Sequence, residues 1–457
     1  MTLTRSAPAP TTPHAAGTVA VAACAAALLA LVNYTVPMVT LSQAAADLGS
    51  GPTGPAWMLN SISLGLSSLL LVAGGLADDH GRRRAYVAGT WALAAGALLA
   101  ALSVNTAMFV VARLVQGGAS AAMLAGSLGM LGHAYPGGPD RVRVTGRYGA
   151  MLGLGIALGP LLSGSIAAAW SWRGVHVLIA VAGAVLAVAA GRVLPESRSE
   201  RRRPHDLPGA ITLALGTAAL LAGVTEGRLG WNRPVVYASF AAAVVLLAAF
   251  TLIENRRREP LVELGLLRRP LFLVATSGAF VTGIAVIGMM SYLPTVLQVT
   301  RSLTPLTSAV LFSLWSGMSF LASLLARHLR VHSGVRLALG LLLSAAGAVL
   351  TLGVADAAPW TRVVAGLVVG GVGSGLINAS LTHLAIESVP LARASMGSGA
   401  NNTARYVGSS LGVAAMATTI GALGWQHGTD VTTVAYAAIA ALAAALTLTL
   451  TLGRSRT

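Results

Sequence analysis

The chain has 457 residues, of which 55% are hydrophobic and 10% charged, and its mean hydropathy is +0.76. A soluble domain of this length could not hide so much apolar surface from water, so the composition indicates a polytopic membrane protein. The formal charge of +16 comes from 30 arginines and no lysine. These arginines lie in short loops between apolar runs and form no continuous basic face, which argues against nucleic-acid binding. The single cysteine, Cys24, rules out an intramolecular disulfide.

Apolar runs of about 20 residues, the length that crosses a bilayer, recur along the chain and predict fourteen spans. The arginines divide unequally between the two sides. Connectors after even-numbered spans and both termini hold 23 of them, whereas the opposite connectors hold five. Cations concentrate on the cytoplasmic side, so we expect a multi-pass protein of the cell inner (plasma) membrane with cytoplasmic termini. The predicted spans are 18–40, 57–77, 85–104, 107–131, 146–168, 175–194, 208–225, 234–253, 271–293, 306–326, 336–355, 361–384, 400–422 and 432–452.

The first 17 residues are rich in Pro, Ala and Thr and predict a disordered cytoplasmic N-terminus. A cleaved signal peptide is the alternative interpretation of the first apolar run, with 44–46 resembling a cleavage site. It is disfavoured because that run is of full spanning length and its early flank carries only Arg5.

A charged turn follows the second span. Its sequence is Gly74-Gly-Leu-Ala-Asp78-Asp79-His-Gly81-Arg82-Arg83-Arg84. Small residues let two helix ends approach, a glycine reverses the chain, and cations hold the turn in the cytoplasm. Asp78 can accept from an exposed helix N-terminus or from an arginine. We predict a cytoplasmic latch of Asp78, Arg82 and Arg83, with a purely structural cap as the alternative for Asp78.

Span 4 carries Arg113 about one turn from Gln116 on the same helix face. An arginine in hydrocarbon costs about 2.5–3.5 kcal/mol on insertion scales, so such a residue usually has a partner or a ligand. We predict a coupling role for Arg113. The alternative is an arginine that snorkels to the membrane edge.

Span 5 combines a proline with several glycines. Proline removes a backbone donor and bends a helix, while glycines let a neighbouring span approach or slide. This pattern predicts a gating helix, and a static, tightly packed interface is the alternative. The residues concerned are Gly153, Gly155, Gly159, Pro160 and Gly164.

Groups that could carry protons inside the membrane are scarce, because none of the 14 acidic residues lies near the middle of a predicted span. The candidates are Asp78 paired with Arg113, Glu226 at the outer end of span 7, and His176 in the outer part of span 6. The alternatives are a solvated loop end for Glu226 and a packed or interfacial histidine for His176.

The two halves of the chain repeat each other at an offset of 253 residues. Halves of this kind place a binding site between two bundles near the bilayer midplane. The polar candidates are not repeated, since Arg113 corresponds to Gly366 and Gln116 to Val369, so the chemistry is expected mainly in the first half. The matching pairs are Gly81 and Gly334, Gly117 and Gly370, Gly159 and Gly412, Arg83 and Arg336, and Leu76 and Leu329.

These motifs resemble those of a known family. The charged turn resembles the signature loop of the major facilitator superfamily of secondary transporters, which places a cation where this chain has Asp79. The spacing of Arg113, Gln116 and Gly117 resembles that superfamily's fourth-span motif, and span 5 resembles the motif of its exporters and antiporters. The order of further segments looks like the fourteen-span drug:proton antiporter family from about residue 25 to 452. Those segments are Trp170-Ser-Trp172-Arg173, Leu194-Pro-Glu196, Asp206-Leu-Pro-Gly209, Thr225-Glu-Gly227, Pro260-Leu261 and Asn402-Thr-Ala-Arg405.

The resemblance implies an all-α polytopic membrane protein that is not an enzyme. Its fold would be the major facilitator fold, with two six-helix bundles plus an inserted two-helix hairpin. The implied organisation is a terminus at 1–17, a bundle at 18–194, a connector at 195–207, the hairpin at 208–253, a connector at 254–270, a bundle at 271–452 and a tail at 453–457.

One position departs from the family, whose first span commonly carries an aspartate where this chain has Asn33. Asparagine cannot release a proton or offset a buried cation. Arg113 and Arg405 are expected on opposite bundles around one cavity. Two cationic side chains and an uncharged Asn33 predict a neutral, zwitterionic or anionic substrate. The predicted substrate cavity comprises Asn33, Tyr34, Asn60, Gln116, Tyr292, Trp315, Asn378, Asn402 and Arg405. The predicted coupling and gating residues are Asp78, Arg82, Arg83, Arg113, Gly155, Gly159, Pro160, Gly164 and Glu226.

We expect export of a small organic compound, such as an antibiotic, drug or metabolite, by alternating access in exchange for protons. No cofactor beyond the proton gradient is expected, and the partners are the substrate, protons and the lipid bilayer, without nucleic acid, around a monomer. The alternative transport function is facilitated diffusion or import of a metabolite. A membrane sensor without transport is the alternative from another class.

Overall fold

The structure is a computed structural model that describes residues 13–136, 138–197, 206–257, 260, 264–329, 331–389 and 394–452. The regular structure of these residues is helical. The helices are α1 (Pro13–Thr35), α2 (Pro37–Asp47), α3 (Gly54–His80), α4 (Arg82–Ala101), α5 (Thr106–Ala134), α6 (Gly138–Ala169), α7 (Trp172–Val193), α8 (Leu207–Glu226), α9 (Pro234–Arg256), α10 (Pro270–Val281), α11 (Met289–Arg301), α12 (Pro305–Leu325), α13 (Ser333–Leu350), α14 (Trp360–Glu387), α15 (Ala394–Leu423) and α16 (Trp425–Leu452). A π-helical segment, Thr282–Gly288, joins α10 to α11.

Thirteen of the described segments are long and apolar enough to cross a membrane, and α10, the π-helical segment and α11 together form one of them. Helix α3, with 27 residues, lies at the second predicted span. Each of the fourteen predicted spans therefore coincides with a helical segment, and the all-α polytopic fold is confirmed.

Two predicted boundaries need correction. The first span, 18–40, is not one regular helix, because α1 ends before Val36 and Pro37 begins α2. Proline has no N–H to continue the helical bonding. The eleventh span was predicted to reach residue 355, but α13 ends at Leu350 and Gly353 has a φ of +72°, which ends helical bonding in this turn.

The helices form two groups that meet along two seams. In the first group α5 packs against α1, α3 and α4, and α7 packs against α4. In the second group α14 packs against α12 and α13, and α16 packs against α13. The groups meet where α3 packs on α15 and where α6 packs on α12. Helix α2 also contacts α11 and α12, so any movement of one group against the other must act at both seams and at α2.

The sequence repeat reappears as a repeat of helix contacts. A Cβ atom on Gly159 of α6 would collide with Thr35 of α1, and a Cβ on Gly288 would lie 2.7 Å from the Cα of Gly412 in α15. Thr35 and Gly288 are themselves 253 residues apart. The same helix crossing therefore occurs at the same offset in both halves.

Helices α8 and α9 form a hairpin beside the α3–α15 seam. Helix α8 packs on both α3 and α15, and the Thr418 hydroxyl of α15 donates to the Val224 carbonyl at 2.9 Å. Only 17% of the span Pro234–Arg256 is buried, so α9 is peripheral and presents apolar side chains outward. At the outer turn of the hairpin, Arg233 donates to Glu226 at 3.1 Å.

Candidate substrate-binding and gating site

Arg113 lies at the centre of a buried polar cluster that joins three helices. Its Nη1 donates to the Asn33 carbonyl at 2.8 Å, to Asn33 Oδ1 at 3.1 Å and to Gln116 Oε1 at 2.7 Å. Its Nη2 donates to the Tyr34 carbonyl at 3.3 Å. Gln116 Nε2 in turn donates to the Gly96 carbonyl of α4 at 2.8 Å. The cluster thus ties α1, α4 and α5 together.

The break between α1 and α2 explains why Arg113 finds an acceptor here. In a regular helix the Asn33 carbonyl would accept from the N–H of residue 37, and Pro37 has none. The guanidinium supplies the missing donor. Pro37 was not among the predicted site residues, although its position four residues after Asn33 is the sequence signal that could have identified the free carbonyl.

The structure changes two interpretations of Arg113. The side chain has 0% exposure, so it does not snorkel to a membrane edge or face an open cavity. It also cannot pair with Asp78. Gly117, one turn along α5, lies against Leu66 of α3, and Asp78 follows 12 residues later, about 18 Å further along the helix.

Tyr34 bridges the two groups of helices near the middle of the spans. Its hydroxyl lies 3.0 Å from Ser63 Oγ of α3 and 3.1 Å from Ser409 Oγ of α15. Its ring packs on Tyr406, with the centroids 5.6 Å apart. A cavity of about 10 Å³ remains beside it, with room for no more than a single water molecule. Its lining residues are Tyr34, Met38, Leu59, Asn60, Ser63, Ser291, Ser409 and Val413.

The two groups also touch on the outer side of Tyr34, taking the predicted orientation. Gln298 Nε2 at the end of α11 donates to the Val39 carbonyl of α2 at 2.6 Å. Within the first group, the hydroxyls of Thr40 and Ser163 lie 3.2 Å apart and fix α2 to α6 beside this contact. The junction is therefore closed both at Tyr34 and beyond it.

Helix α6 lies between the two groups and contacts both through its glycines. Gly155 faces α1, where a Cβ would lie 2.7 Å from the Leu28 carbonyl oxygen. Gly164 faces α12, where a Cβ would lie 3.0 Å from the Pro305 carbonyl oxygen. Pro160 lies inside the helix without ending it. The predicted close approach of neighbouring spans is present, while motion at this helix stays a prediction.

Arg405 of α15 forms a second arginine cluster of a different kind. Its Nη2 donates to Asn402 Oδ1 at 2.8 Å and its Nη1 to Asn378 Oδ1 at 3.5 Å. The guanidinium carbon lies 5.3 Å from the Tyr406 ring centroid. Its Nε is buried without a hydrogen-bond partner, although the side chain as a whole is partly exposed.

Of the remaining predicted residues, Asn60 lines the cavity beside Tyr34, whereas Tyr292, Trp315 and the proposed proton carriers His176 and Glu226 do not. Asn60 is 1% exposed and its Nδ2 has no hydrogen-bond partner. Tyr292 is 1% exposed on α11. Trp315 is 5% exposed and packs beside Gly370 at the α12–α14 contact. His176 is buried and stacks edge-on against Phe109, with the ring centroids 5.5 Å apart. Glu226 lies at the hairpin turn, away from the Tyr34 junction.

The charged turn between α3 and α4 is held by a carboxylate that the predicted site omitted. Glu196 accepts from the Arg83 N–H at 3.1 Å, at the start of α4, and lies 3.8 Å from Arg84 Nε. Gly81 has a φ of +118°, and a Cβ there would lie 2.7 Å from Glu196 Oε1. The side chain of Asp78, the predicted anion of this latch, is outside the described residues. Arg82 contributes its N–H, which donates to the Ser197 carbonyl at 3.0 Å.

A second clamp, which is called the outer clamp after the predicted orientation, joins the C-terminal end of α2 to the N-terminal end of α7. Asp47 accepts from Trp172 Nε1 at 3.2 Å and from Arg173, and Arg173 also donates to the Ser103 carbonyl at 2.9 Å. The Arg173 and Trp172 hydrogen bonds hold the pKa of the Asp47 carboxyl below its usual range. The sequence motifs contained Trp172 and Arg173, but only the fold brings Asp47 to them.

Comparison with known proteins identifies the family. The model of the Major Facilitator Superfamily matches residues 23–413. The chain belongs to this superfamily. It is therefore a membrane transporter and not a member of an enzyme family, and the predicted resemblance is confirmed.

Several curated relatives carry drug-related names. The multidrug resistance protein Stp of Mycobacterium tuberculosis is 29% identical over 86% of this chain and 72% of its own length. The probable actinorhodin transporter of Streptomyces coelicolor is 30% identical over 88% and 72%. The puromycin resistance protein of Streptomyces alboniger is 30% identical over 86% and 80%.

Solved structures support the fold. A POT family transporter crystallised in complex with 5-aminolevulinic acid superposes with a TM-score of 0.69 at 13% identity, over 96% of this chain and 97% of the other. Identity this low supports the shared fold and carries no statement about the substrate.

Proposed function

We propose that this transporter exports a small organic compound, an antibiotic, drug or metabolite, from the cytoplasm by alternating access in exchange for protons. The observation on which the proposal rests is that α6 contacts both helix groups at close range. Gly155 faces α1 and Gly164 faces α12. The names of the curated relatives supply the compound class.

The closure at Tyr34 supports alternating access. A compound can pass only if the Tyr34–Ser409 contact and the outer Gln298–Val39 contact both separate. These contacts join the two groups of helices, so relative movement of the groups breaks them without unfolding either group. In this mechanism Gly159 and Pro160 allow α6 to adjust its packing on α1.

The charge distribution supports a substrate that is neutral, zwitterionic or anionic. The groups around Tyr34 are hydroxyls, amides and Arg405, and the described ion pairs lie at the membrane edges or in the connectors. A lipophilic cation would lose hydration at this junction without a carboxylate to offset the loss.

Proton coupling remains part of the proposal. The carriers proposed from the sequence are Asp78, Glu226 and His176, and the structure removes only the pairing of Asp78 with Arg113. Facilitated diffusion or import is the competing function, favoured by the scarcity of embedded acidic residues.

Resistance in an efflux-deficient bacterium tests the proposed function. We expect expression of the chain to raise resistance to actinorhodin, puromycin or both, the compounds in the names of two relatives, and not to ethidium or a bis-quaternary biocide. The Gly159→Leu variant at equal membrane level is the inactive control. Strong resistance to ethidium that survives substitution of Arg113 and Arg405 would contradict the proposed substrate charge.

A further inference from the structure

The two membrane arginines differ in how many of their donors are already used. Arg113 is fully enclosed and donates to carbonyl and amide oxygens of α1 and α5. Arg405 is partly exposed, and its Nη atoms donate to two amide oxygens, one of them at the long distance of 3.5 Å. The Nε of each arginine is buried without an acceptor, so the two residues differ in exposure and in the use of their terminal donors. A guanidinium is a planar fork of five donors, so Arg405 has capacity for another acceptor group.

The position of Arg405 suits a compound that arrives from the cytoplasm. Ser409, which takes part in the Tyr34 contact, follows Arg405 by one helical turn, about 6 Å along α15. Because α15 runs outward in the predicted orientation, Arg405 lies on the cytoplasmic side of the closed junction. Thr403 next to it contacts the Ser67 carbonyl of α3, so Arg405 is also close to the α3–α15 seam.

The surroundings of Arg405 define the ligand chemistry. Tyr406 lies beside the guanidinium, and Tyr34 packs on Tyr406, so two phenol rings line the route from the arginine to the junction. Asn378 and Asn402 hold the guanidinium without neutralising it. An acceptor with a negative charge therefore gains a charge-assisted, bidentate hydrogen bond, and an attached aromatic ring gains a stacking surface.

We propose that Arg405, positioned by Asn378 and Asn402, is the receptor for a carboxylate on an aromatic compound that enters from the cytoplasmic side. This inference rests on the proposed function and specifies its substrate class. It assigns the two arginines different tasks: Arg113 fixes α1 to α5, and Arg405 binds the transported anion.

Chemical labelling of arginine tests the assignment without requiring transport. The full chain is purified, reconstituted in phosphatidylcholine liposomes and treated with phenylglyoxal, and the modified arginines are identified by mass spectrometry. We expect Arg405 to react and Arg113 to remain unmodified. Fluorescein, an aromatic carboxylate, should slow the labelling of Arg405, whereas rhodamine 123, a cation on the same xanthene scaffold, should not.

Each other labelling outcome overturns the proposal. Failure of Arg405 to react would show that it is not accessible. Labelling unaffected by fluorescein, or slowed equally by rhodamine 123, would remove the preference for an aromatic anion. Protection by phosphatidylglycerol alone, in liposomes that contain it and no fluorescein, would assign the guanidinium to a lipid headgroup instead.

Binding to variants provides a second, independent readout. Fluorescein anisotropy on the purified protein should show affinity for the Arg405→Gln variant weakened about 10- to 100-fold, the loss expected for hydrogen bonds between charged groups. The Arg84→Gln variant removes the same charge from the cytoplasmic surface and should bind as the unmodified chain does. Equal affinity of all three proteins would contradict the proposal. Resistance without fluorescein binding would leave export intact and reject only the anion receptor.

Discussion

The two halves of this transporter share a backbone plan but use it for different chemistry. In the first half, the contacts of α5 with α1 and α4 are polar and centre on Arg113, Gln116 and Gly96. In the second half, α13 and α14 approach through glycines instead, and a Cβ on Gly347 would lie 2.5 Å from the Gly370 nitrogen. The helix crossings are therefore preserved by small residues, while the Arg113 cluster belongs to the first half.

This difference shows that a polar residue within a span need not bind the transported compound. Arg113 has no acidic partner among the described residues, yet its Nη donors are taken by oxygens, among them the Asn33 carbonyl that the break at Pro37 leaves available. Arg405 in the other half is partly exposed, and its Nη atoms donate to two amide oxygens only. The second half thus carries the membrane arginine whose terminal donors are less fully used.

The largest expected effect comes from removing the Arg113 cluster. Arg113→Leu would leave the Asn33 carbonyl and the Gln116 amide oxygen buried without donors, at a cost of about 1–3 kcal/mol each. We expect low expression and a lowered thermal midpoint in detergent. The control is Arg143→Leu, which removes an arginine whose side chain is largely exposed. An Arg113→Leu variant as stable as the unmodified protein would show that the cluster does not hold α1 to α5.

The next effect is expected in α6, where both groups meet. Gly159→Leu would collide with Thr35, so we expect transport to be abolished while the protein still inserts in the membrane. Gly149→Leu on the same helix is the matched control, because nothing lies within 4 Å of a Cβ there. Pro160→Ala should also abolish transport. Normal efflux by well-expressed Gly159→Leu protein would reject the gating role of α6.

A smaller effect is expected at the cytoplasmic turn. Glu196→Gln weakens the anchoring of α4, but the pair with Arg84 is largely exposed, so the loss of stability should stay below about 1 kcal/mol. We expect reduced transport and near-normal melting of the purified protein. The second half has Thr451 beside Gly334 in the corresponding place, and Thr451→Ala is the comparison. A full loss of folding in Glu196→Gln would assign this contact a larger structural role.

The smallest effect concerns the outer clamp and its dependence on pH. Because Arg173 and Trp172 lower the Asp47 pKa, the carboxylate contributes stability above the usual carboxyl pKa, and this contribution is lost as pH falls through the lowered value. Between pH 7 and about 5 the clamp should therefore not titrate. Melting curves of Asp47→Asn and the unmodified protein should differ by a constant amount in that range and converge at lower pH. Convergence already near pH 6 would contradict the lowered pKa.

Much of the fold could be predicted because the length and the apolar composition of each span are local properties of the sequence. Each predicted span coincides with helical structure, and the 253-residue offset related Gly159 to Gly412. The contacts of these two glycines with Thr35 and Gly288 follow the same offset but were not predicted. The contacts of the functional site were harder to predict from the sequence. Arg113 binds main-chain and amide oxygens, and residue types alone favoured a carboxylate partner in Asp78.

Contacts between distant segments explain the remaining omissions. Glu196 acts on the turn at Gly81, 115 residues earlier, and Asp47 acts on Arg173, 126 residues later. Neither pairing follows from spacing in the chain. By contrast, Asn402 and Arg405 are three residues apart on one helix, and their contact could be expected from helical geometry.

Transport into inside-out membrane vesicles tests the central claim most directly. An exporter that exchanges its cargo for protons should take up the compound identified by the resistance panel when the vesicle interior is made acidic. Uptake should cease when the gradient is collapsed by an ionophore, and it should be absent with Gly159→Leu. Accumulation that is unaffected by collapsing the gradient, or equilibration without accumulation, would contradict proton-driven export and favour facilitated diffusion.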